Sequence, residues 1–380
     1  MKKSIFFAAL MFGAFVLTGC DKGGTPDTDS TKLWPAQEDE SSTWGYFNGK
    51  DAKLAIRAKY NSAAPYSCGY ALVLEEQDWK FIDKSGTVVS NKMPELDNGT
   101  SPDYFYYDVC KVSIDGNYAF LDKDFKKLTK QEFVNLGEMT EDGLAVFRIK
   151  DEDLFGYCDK EGNIVIKAQY DRAYPFADGI AIVREDGENG TNSTYSIIDK
   201  KGNVLYSQKD FMQNLGEQRV LFQKDNGKCG MLDKNGNEIL GATYRAIYEF
   251  TDGLAQVIHH SNGKVGYIDV KGNEVIETQY ADGLYCYEGV IWVQRYSNTG
   301  DGKWILIDKK GNEKFELMKN QSPASNYHNG LSLVRGESKY FYLDTKGEEK
   351  YSWKVSGRVF APEKKAMMRG TKYAPLMEEL

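Results

Sequence analysis

Histidine is nearly missing from this chain. Only three histidines, His259, His260 and His328, occur among 380 residues. A nucleophilic triad needs an imidazole beside its serine or cysteine, and many catalytic zinc sites use two or three histidine ligands. His259 and His260 adjoin the turn sequence Ser-Asn-Gly, which is typical of an exposed hairpin tip. Chemistry that needs several histidines is therefore not expected.

The common catalytic motifs are missing as well. The sequence contains no G-x-S-x-G elbow, phosphate-binding loop, H-E-x-x-H helix or EF-hand loop. Two carboxylates at a suitable separation could form a glycosidase site, but a chain with 56 acidic residues always offers some pair. We therefore predict a non-enzymatic protein with no catalytic residue, no cofactor and no metal site.

Positive charge is in deficit. The 48 Lys and Arg residues stand against 56 Asp and Glu residues, which gives a net charge of −8. Affinity for nucleic acid comes mostly from basic side chains that neutralise phosphates. Nucleic acid is therefore not an expected partner.

The single notable apolar run is short and lies at the N-terminus. Ile5–Leu17 follows Lys2 and Lys3 and falls below the roughly 20 residues that span a bilayer. It has the pattern of a signal peptide, and Leu-Thr-Gly-Cys ends it at Cys20. This ending resembles the bacterial lipobox, which implies cleavage before Cys20 and acylation of that cysteine. A plain secretory signal that happens to end in cysteine is the alternative.

The lipobox sets the expected location. Residues 1–19 are the predicted lipoprotein signal peptide, and residues 20–43, rich in Ser, Thr, Asp, Gly and Pro, are a predicted flexible tether. Several acyl chains on one cysteine hold a protein stably on a membrane. We therefore expect a lipid-anchored protein of the Gram-negative cell envelope, at the outer membrane, on its periplasmic or surface-exposed face.

Closely spaced cysteine pairs are absent. Without a C-x-x-C sequence, a zinc site is not expected. Three of the five cysteines beyond Cys20 lie in strand-like runs, so we predict buried free thiols, with one disulfide as the alternative in an oxidising compartment. The five are Cys68, Cys110, Cys158, Cys229 and Cys286.

An internal repeat organises the rest of the chain. Its phrase is an apolar pair, Asp, two residues and Gly, often followed by Asn, and its aspartates recur every 34 to 40 residues. Asp at the start of a turn accepts backbone N–H groups, and Gly three residues on supplies positive φ. Each copy is therefore a predicted β-hairpin, and its aspartate is a turn former. These aspartates are Asp83, Asp122, Asp159, Asp199, Asp233, Asp269, Asp308 and Asp344.

A second phrase follows several hairpins at a fixed offset. It reads Tyr, five residues, an aromatic, two residues and Gly, as in Tyr170, Phe176 and Gly179. An alternating strand such as Ile180–Val183 comes next. Each unit thus holds three or four short strands with almost no helix signal. The sequence predicts an all-β fold.

These units resemble WG repeats, a bacterial family named for Trp-Gly at the start of the unit. Trp44-Gly45 shows the pair literally, whereas Trp79 and Trp304 keep the tryptophan and lose the glycine. The resemblance covers roughly residues 44 to 360. It implies an all-β repeat protein without a shared catalytic site.

About nine such units form the predicted array over residues 44–372, with residues 373–380 as a C-terminal tail. A unit of this length cannot bury its own core, so neighbouring units must stack. An open solenoid or superhelix tolerates any number of units, whereas a β-propeller typically has 4–8 blades. We therefore favour the open array, with the propeller as the alternative.

The candidate ligand site lies where the period is broken. The insertion Leu96–Asp108 includes Tyr104, Tyr106 and Tyr107. Aromatic side chains give large contact areas to sugar rings and to protein partners. A buried edge strand is the alternative interpretation of the same residues.

The function that follows is binding. We expect a non-enzymatic binding or scaffold module for a protein or glycan partner. An envelope hydrolase on a propeller-like scaffold is the alternative, and a mainly structural envelope component is a third hypothesis. Fold alone does not decide among them.

Overall fold

The computed structural model describes residues 32–49, 53–187, 192–298, 300 and 302–355. The predicted signal peptide, Cys20 and the tail 373–380 lie outside these residues. Within them the only helix is a 3₁₀ turn, Ser90–Lys92. The all-β prediction is confirmed. No helix in the described ranges is long and apolar enough to cross a bilayer.

The strands fall into nine successive units, numbered here along the chain. Units 1 to 5 contain β1 (Trp34–Gln37), β2 (Trp44–Phe47) and β3 (Leu54–Tyr60); β4 (Ser62–Ala63), β5 (Ala71–Glu75) and β6 (Asp78–Ile82); β7 (Phe105–Tyr106), β8 (Val109–Ile114) and β9 (Asn117–Leu121); β10 (Phe133–Leu136), β11 (Ala145–Ile149), β12 (Phe155–Cys158) and β13 (Ile164–Tyr170); and β14 (Arg172–Ala173), β15 (Ile180–Glu185), β16 (Thr194–Asp199) and β17 (Val204–Gln208).

The later units follow the same plan. Units 6 to 9 contain β18 (Phe211–Gly216), β19 (Arg219–Gln223), β20 (Cys229–Asp233) and β21 (Glu238–Thr251), which is shared with unit 7; β22 (Leu254–His259), β23 (Val265–Asp269) and β24 (Glu274–Tyr280); β25 (Asp282–Gly283), β26 (Val290–Gln294), β27 (Trp304–Asp308) and β28 (Glu313–Glu316); and β29 (Ser322–Pro323), β30 (Leu331–Arg335), β31 (Lys339–Asp344) and β32 (Glu349–Lys354).

Each unit is an antiparallel meander. A complete unit has a short first strand, then a second and third strand, and a fourth strand at the far edge, paired in chain order. In units 2 and 3 the fourth strand shrinks to single bridges, Ile82 to Val88 and Leu121 to Lys127. The described part of unit 1 has three strands. The expected number of about nine units is therefore correct.

The repeated aspartates form the predicted turns. In Asp199, Oδ1 accepts the backbone N–H groups of Lys201 and Asn203 at 2.8 and 2.9 Å, and Oδ2 accepts the Asn203 side-chain amide at 2.8 Å. The Gly202 N–H donates to the Asp199 carbonyl at 2.9 Å, with a Gly202 φ of +82°. The turn between the third and fourth strands is thus held by its own sequence.

The glycine of the Trp-Gly pair allows two strands to cross closely. A Cβ on Gly266 would lie 2.6 Å from the Ile276 carbonyl oxygen in the fourth strand, closer than real atoms approach. The strand pairing shifts register at that point, so β24 bulges over the glycine. In unit 8 the same position is Ile305, and the register shift at this point is absent. The same crossing occurs at Gly45, Gly156 and Gly230.

The hydrophobic core lies between units. Each cluster of buried side chains combines residues from two or three neighbouring units, for example Val265 and Tyr267 of unit 7 with Ile291 and Ile305 of unit 8. Such clusters join every consecutive pair of units. Stacking therefore buries the apolar faces, as the repeat length predicts.

The first and last units also share a core, which closes the array into a ring. Trp353 is buried against Trp44, with ring centroids 6.0 Å apart, and its Nε1 donates to Gln37 Oε1 at 3.1 Å. The Tyr342 hydroxyl donates to the Pro35 carbonyl at 3.0 Å. The preference for an open array was therefore wrong, and the propeller-like alternative describes the ring. The typical limit of eight blades favoured an open array. Nine units can close into a ring here because the first and last units bury apolar side chains against each other.

Ring closure also corrects the boundary of the tether. All four residues of β1 are buried, although they lie in the segment 20–43 expected to be flexible. Trp34 packs against Phe47, with ring centroids 5.4 Å apart. The repeat array thus begins no later than Trp34, ten residues before the Trp-Gly pair.

The prediction of free thiols is confirmed for four cysteines and wrong for Cys68, which is disulfide-bonded. Cys110, Cys158, Cys229 and Cys286 are buried and unbonded to one another. Burial raises the pKa of both Cys158 and Cys286 to about 12. Such thiols stay protonated near neutral pH, so they are packing residues and poor nucleophiles.

Candidate functional site

The turns between first and second strands contact one another around the ring. Asp178 and Gly179 both have positive φ, at 52° and 84°, the backbone of a tight hairpin turn. The Gly179 N–H donates to the carboxylate of Asp142, which occupies the corresponding turn one unit earlier. The carboxylate of Asp178 in turn accepts the Glu217 N–H of the next unit.

This pattern continues to the last unit. The carboxylates of Glu217, Asp252 and Glu288 accept the N–H groups of Gly253, Gly289 and Gly330 at 2.9, 2.9 and 2.7 Å. Because the units of a ring diverge outward, neighbouring units are closest to each other near the ring axis. The first strands therefore face the centre of the ring, and the fourth strands form its rim. Exposed apolar side chains on the rim include Ile164, Val165, Val204, Leu205 and Val275.

Two of the three predicted site residues lie together at this inner surface. Tyr104 and Tyr106 flank Phe105 at the start of unit 3, with their rings edge to face and centroids 6.4 Å apart. Both are half-buried. Desolvation raises the pKa of both hydroxyls, and Glu138 raises both further. Both phenols are therefore neutral hydrogen-bonding groups on an aromatic surface.

Carboxylates accompany these tyrosines. Glu138 belongs to the inner segment of unit 4 and keeps surface exposed to solvent, yet desolvation by the surrounding protein raises the pKa of its carboxyl. Lys111 opposes that increase and forms an ion pair with Asp103, Nζ to Oδ2 at 3.0 Å. The cluster of Tyr104, Tyr106, Glu138 and Asp103 is named the inner site.

Tyr107 does not join the inner site. It occupies the turn to the second strand, with a φ of 49°, and packs against the core between units 3 and 4. The edge-strand interpretation also has support, because β7 ends its sheet. Half-buried tyrosines on an edge strand leave both their rings and their hydroxyls partly accessible.

A second aromatic group lies four units further round the ring and was missed from the sequence. The rings of Tyr248 and Tyr285 are 6.4 Å apart, and those of Tyr285 and Tyr287 are 6.5 Å apart. Burial raises the pKa of Tyr287, as does nearby Glu249. The sequence did offer a signal. Tyr248 and Tyr285 both lie within the second phrase, between its first tyrosine and its glycine, in successive units.

The histidines lie apart from these groups. His259 is at an exposed hairpin tip, with Nδ1 3.1 Å from Ser261 Oγ, as predicted. His328 Nε2 lies 2.9 Å from the Asn329 side-chain amide at the turn of unit 9. No group of three or more His, Cys, Asp or Glu side chains in the described part of the chain is placed to hold a metal ion.

The inner site has side chains that suit ligand binding, and few of its charged groups are free to take part in a reaction. Tyrosine offers an apolar ring and a polar end at low entropic cost. Carboxylates beside it accept hydrogen bonds from hydroxyl, amide or ammonium groups of a ligand. Fold and inner surface together define a propeller-like ring of β-repeats with an aromatic, acidic centre.

The chain belongs to the WG-repeat family. The model of the WG containing repeat matches residues 44–79, 155–188, 230–260 and 266–304. Each matched segment begins within one residue of a glycine over which a fourth strand crosses: Gly45, Gly156, Gly230 and Gly266. The resemblance noted from the sequence is therefore confirmed. No curated protein matches the sequence.

Several solved structures are similar to this chain, and one of them supports the architecture. A eukaryotic initiation factor structure is similar with a TM-score of 0.60 at 11% identity, covering 85% of this chain and 96% of its own. Dihydro-heme d1 dehydrogenase NirN matches with a TM-score of 0.42 at 13% identity, covering 89% of this chain and 77% of its own. AztD from Citrobacter koseri matches at 0.39 and 13%, covering 77% and 93%. At such identities the first similarity shows the fold alone.

Proposed function

We propose that this protein is a lipid-anchored, non-enzymatic binding module of the cell envelope, and that the inner site takes a segment of a protein or glycan partner. The observation that carries the proposal is the Tyr104–Tyr106 pair beside Glu138. Half-buried aromatic groups with neighbouring hydrogen-bond acceptors are typical of recognition surfaces.

The ring geometry supports an extended ligand. Nine units place the inner site, on units 3 and 4, nearly opposite the Tyr248, Tyr285 and Tyr287 group on units 7 and 8. A chain that crosses the centre would contact both groups. Repeat proteins commonly bind through such continuous surfaces made from many units.

The test uses the mature full-length protein in detergent micelles, presented to arrays of envelope glycans and of peptides from envelope proteins. We expect selective binding, with the class of ligand read from the array. Tyr106→Ala should weaken it about tenfold, the effect of removing an aromatic contact. Tyr118→Ala is the matched control, because Tyr118 lies in the same unit with 39% exposure. Equal binding by both variants would refute the assignment of this site.

A hydrolase remains the second candidate, and one observation favours it. Desolvation raises the pKa of Glu138, which suits a general acid, and Asp103 is its acidic neighbour in the inner site. If the glycans that bind are cleaved and Glu138→Gln abolishes cleavage but not binding, the hydrolase is correct. Binding without any cleaved product supports the non-enzymatic module.

The lipid anchor needs its own test, because Cys20 lies outside the described residues. Cells fed labelled palmitate should label the wild-type protein, whereas Cys20→Ala should take up no label. Labelling that survives this substitution would rule out Cys20 as the attachment site.

A further inference from the structure

A groove separate from the inner site lies beside the third strand of unit 2. It has a volume of about 360 Å³, within the range of small-molecule sites. Its walls are the start of β6, with Gln77, Asp78 and Trp79, and the connection to unit 3, with Asn91, Met93 and Leu96. This connection runs from Val88 to Pro102 and includes the 3₁₀ turn.

The groove exists because unit 2 departs from the repeat pattern. Three residues before the turn aspartate, where unit 7 has Gly266, unit 2 has Lys80. A side chain there rules out the bulged crossing seen in unit 7, since a Cβ on Gly266 would already meet the Ile276 backbone at 2.6 Å. Units 5 and 8 also lack this glycine and keep a fourth strand, but unit 2 forms no regular fourth strand. The chain instead pairs once, Val88 with Ile82, and turns away. Space is left open next to Trp79.

The apolar part of the groove is fixed in place. Trp79 is half-buried and packs with Met93 and Leu96 against the core between units 2 and 3. The connection is held to β6 by a bond from the Phe81 N–H to Ser90 Oγ at 3.0 Å. A fixed indole with part of its surface in solvent provides a stacking platform without an ordering cost.

The polar side chains of the groove are available to bond a ligand. In the described structure the side chains of Gln77, Asp78 and Asn91 and the indole N–H of Trp79 make no hydrogen bond to protein. Lys80, by contrast, is engaged with Glu75, Nζ to Oε2 at 2.9 Å. The groove therefore offers amide donors and acceptors, one carboxylate and an aromatic face, without an unpaired cation.

We propose that this groove binds a neutral oligosaccharide, with one pyranose ring stacked on Trp79 and its hydroxyls bonded to Gln77, Asp78 and Asn91. A sugar ring has apolar C–H faces and a rim of hydroxyls that both donate and accept, which matches this combination. An anionic ligand would be repelled by Asp78. This site is additional to the inner site and uses different residues.

The experiment is a titration of the mature full-length protein with four neutral tetrasaccharides: cello-, malto-, chito- and mannotetraose. We expect at least one of them to bind and to change tryptophan fluorescence, with Kd between about 10 μM and 1 mM. Trp79→Ala and Asn91→Ala should each raise Kd, the first about tenfold or more. Trp79→Tyr, which keeps a stacking ring, should retain most of the affinity.

Trp304→Ala is the matched control. Trp304 has the same place in unit 8, four residues before Asp308, and is also half-buried, but it does not line this groove. It should leave Kd unchanged. The proposal is overturned if no tetrasaccharide binds up to about 10 mM, or if Trp304→Ala weakens binding as much as Trp79→Ala. Loss of binding in Tyr106→Ala alone would assign the sugar to the inner site instead.

Discussion

At the scale of single residues, the turn aspartates stabilise the hairpins through local hydrogen bonds. Asp199 accepts bonds from Lys201 and Asn203, and the Asn203 amide is the main cause of the lowered pKa of Asp199. In an unfolded chain the pKa of an Asp side chain is about 3.9. A folded-state pKa below that value stabilises the protein above about pH 4, and the contribution is lost as pH falls through the folded-state pKa.

The corresponding prediction concerns Asp199→Asn. This variant should unfold more readily than wild type at pH 7, because the charged acceptor of three hydrogen bonds is replaced by an amide. The difference should shrink as the pH is lowered from about 5 to 2. Urea unfolding followed by circular dichroism at several pH values measures it.

Asp225→Asn serves as the control, since the Asp225 carboxylate accepts no hydrogen bond within the described residues. It should change stability little at any pH. A pH-independent loss in Asp199→Asn would show that the carboxylate charge is irrelevant to the turn.

At the scale of strands, the glycine of the third strand decides how the fourth strand runs. Above Gly266 the fourth strand bulges and continues to buried Tyr280, whereas beside Ile305 the register shift at this point is absent. One missing side chain therefore changes the path of a whole strand. The four segments that match the family model each begin within one residue of such a glycine.

We accordingly predict a strong effect of Gly266→Ala. The added Cβ would lie 2.6 Å from the Ile276 carbonyl and 2.8 Å from the Thr278 nitrogen, both backbone atoms that cannot rotate away. Overpacking of this kind costs about 1–3 kcal/mol or more. Thermal unfolding measured by calorimetry should show a lowered Tm.

Ser196→Ala tests the same position in unit 5, where the pairing has no register shift at this residue. It removes one hydrogen bond to Ser207 and should cost about 1 kcal/mol. If Gly266→Ala were no more destabilising than this control, the crossing would not be the reason for glycine.

Much of this local structure could be predicted from the sequence, and much of the rest could not. Turns such as Asp199 to Asn203 are set by residues within five positions of each other. Ring closure depends on Trp34 and Trp353, which lie outside any recognisable phrase and meet only in space. The candidate inner site could be proposed from the sequence through Tyr104 and Tyr106, whereas the groove beside Trp79 depends on the irregular connection after Val88, which no motif records.

At the scale of the whole molecule, closure makes every unit an interior one. Trp353 is 1% exposed and contacts unit 1, so the last unit is not a cap. In an open array, damage to the last unit stays local. In a closed ring it removes support from both neighbours.

Trp353→Ala should therefore destabilise the ring as a whole. Truncation of a buried tryptophan costs about 3–5 kcal/mol. We expect a single calorimetric transition at lower temperature, with faster hydrogen exchange even in distant unit 5, at Ile182 and Ile197. Trp292→Ala, at the buried interface of units 8 and 9, should give the same pattern. Rapid exchange confined to units 1 and 9 would show that closure is energetically unimportant.

The two ends of the described chain leave from adjoining units. The Lys354 N–H donates to the Asp39 carboxylate at 2.8 Å, and the Glu40 N–H donates to the Lys354 carbonyl at 2.9 Å. A fluorescent reporter inserted directly at either end of the described chain would therefore crowd the same sector of the ring. Units 4 to 6, on the opposite side, would stay open to a docking partner whichever of these two ends carries the label.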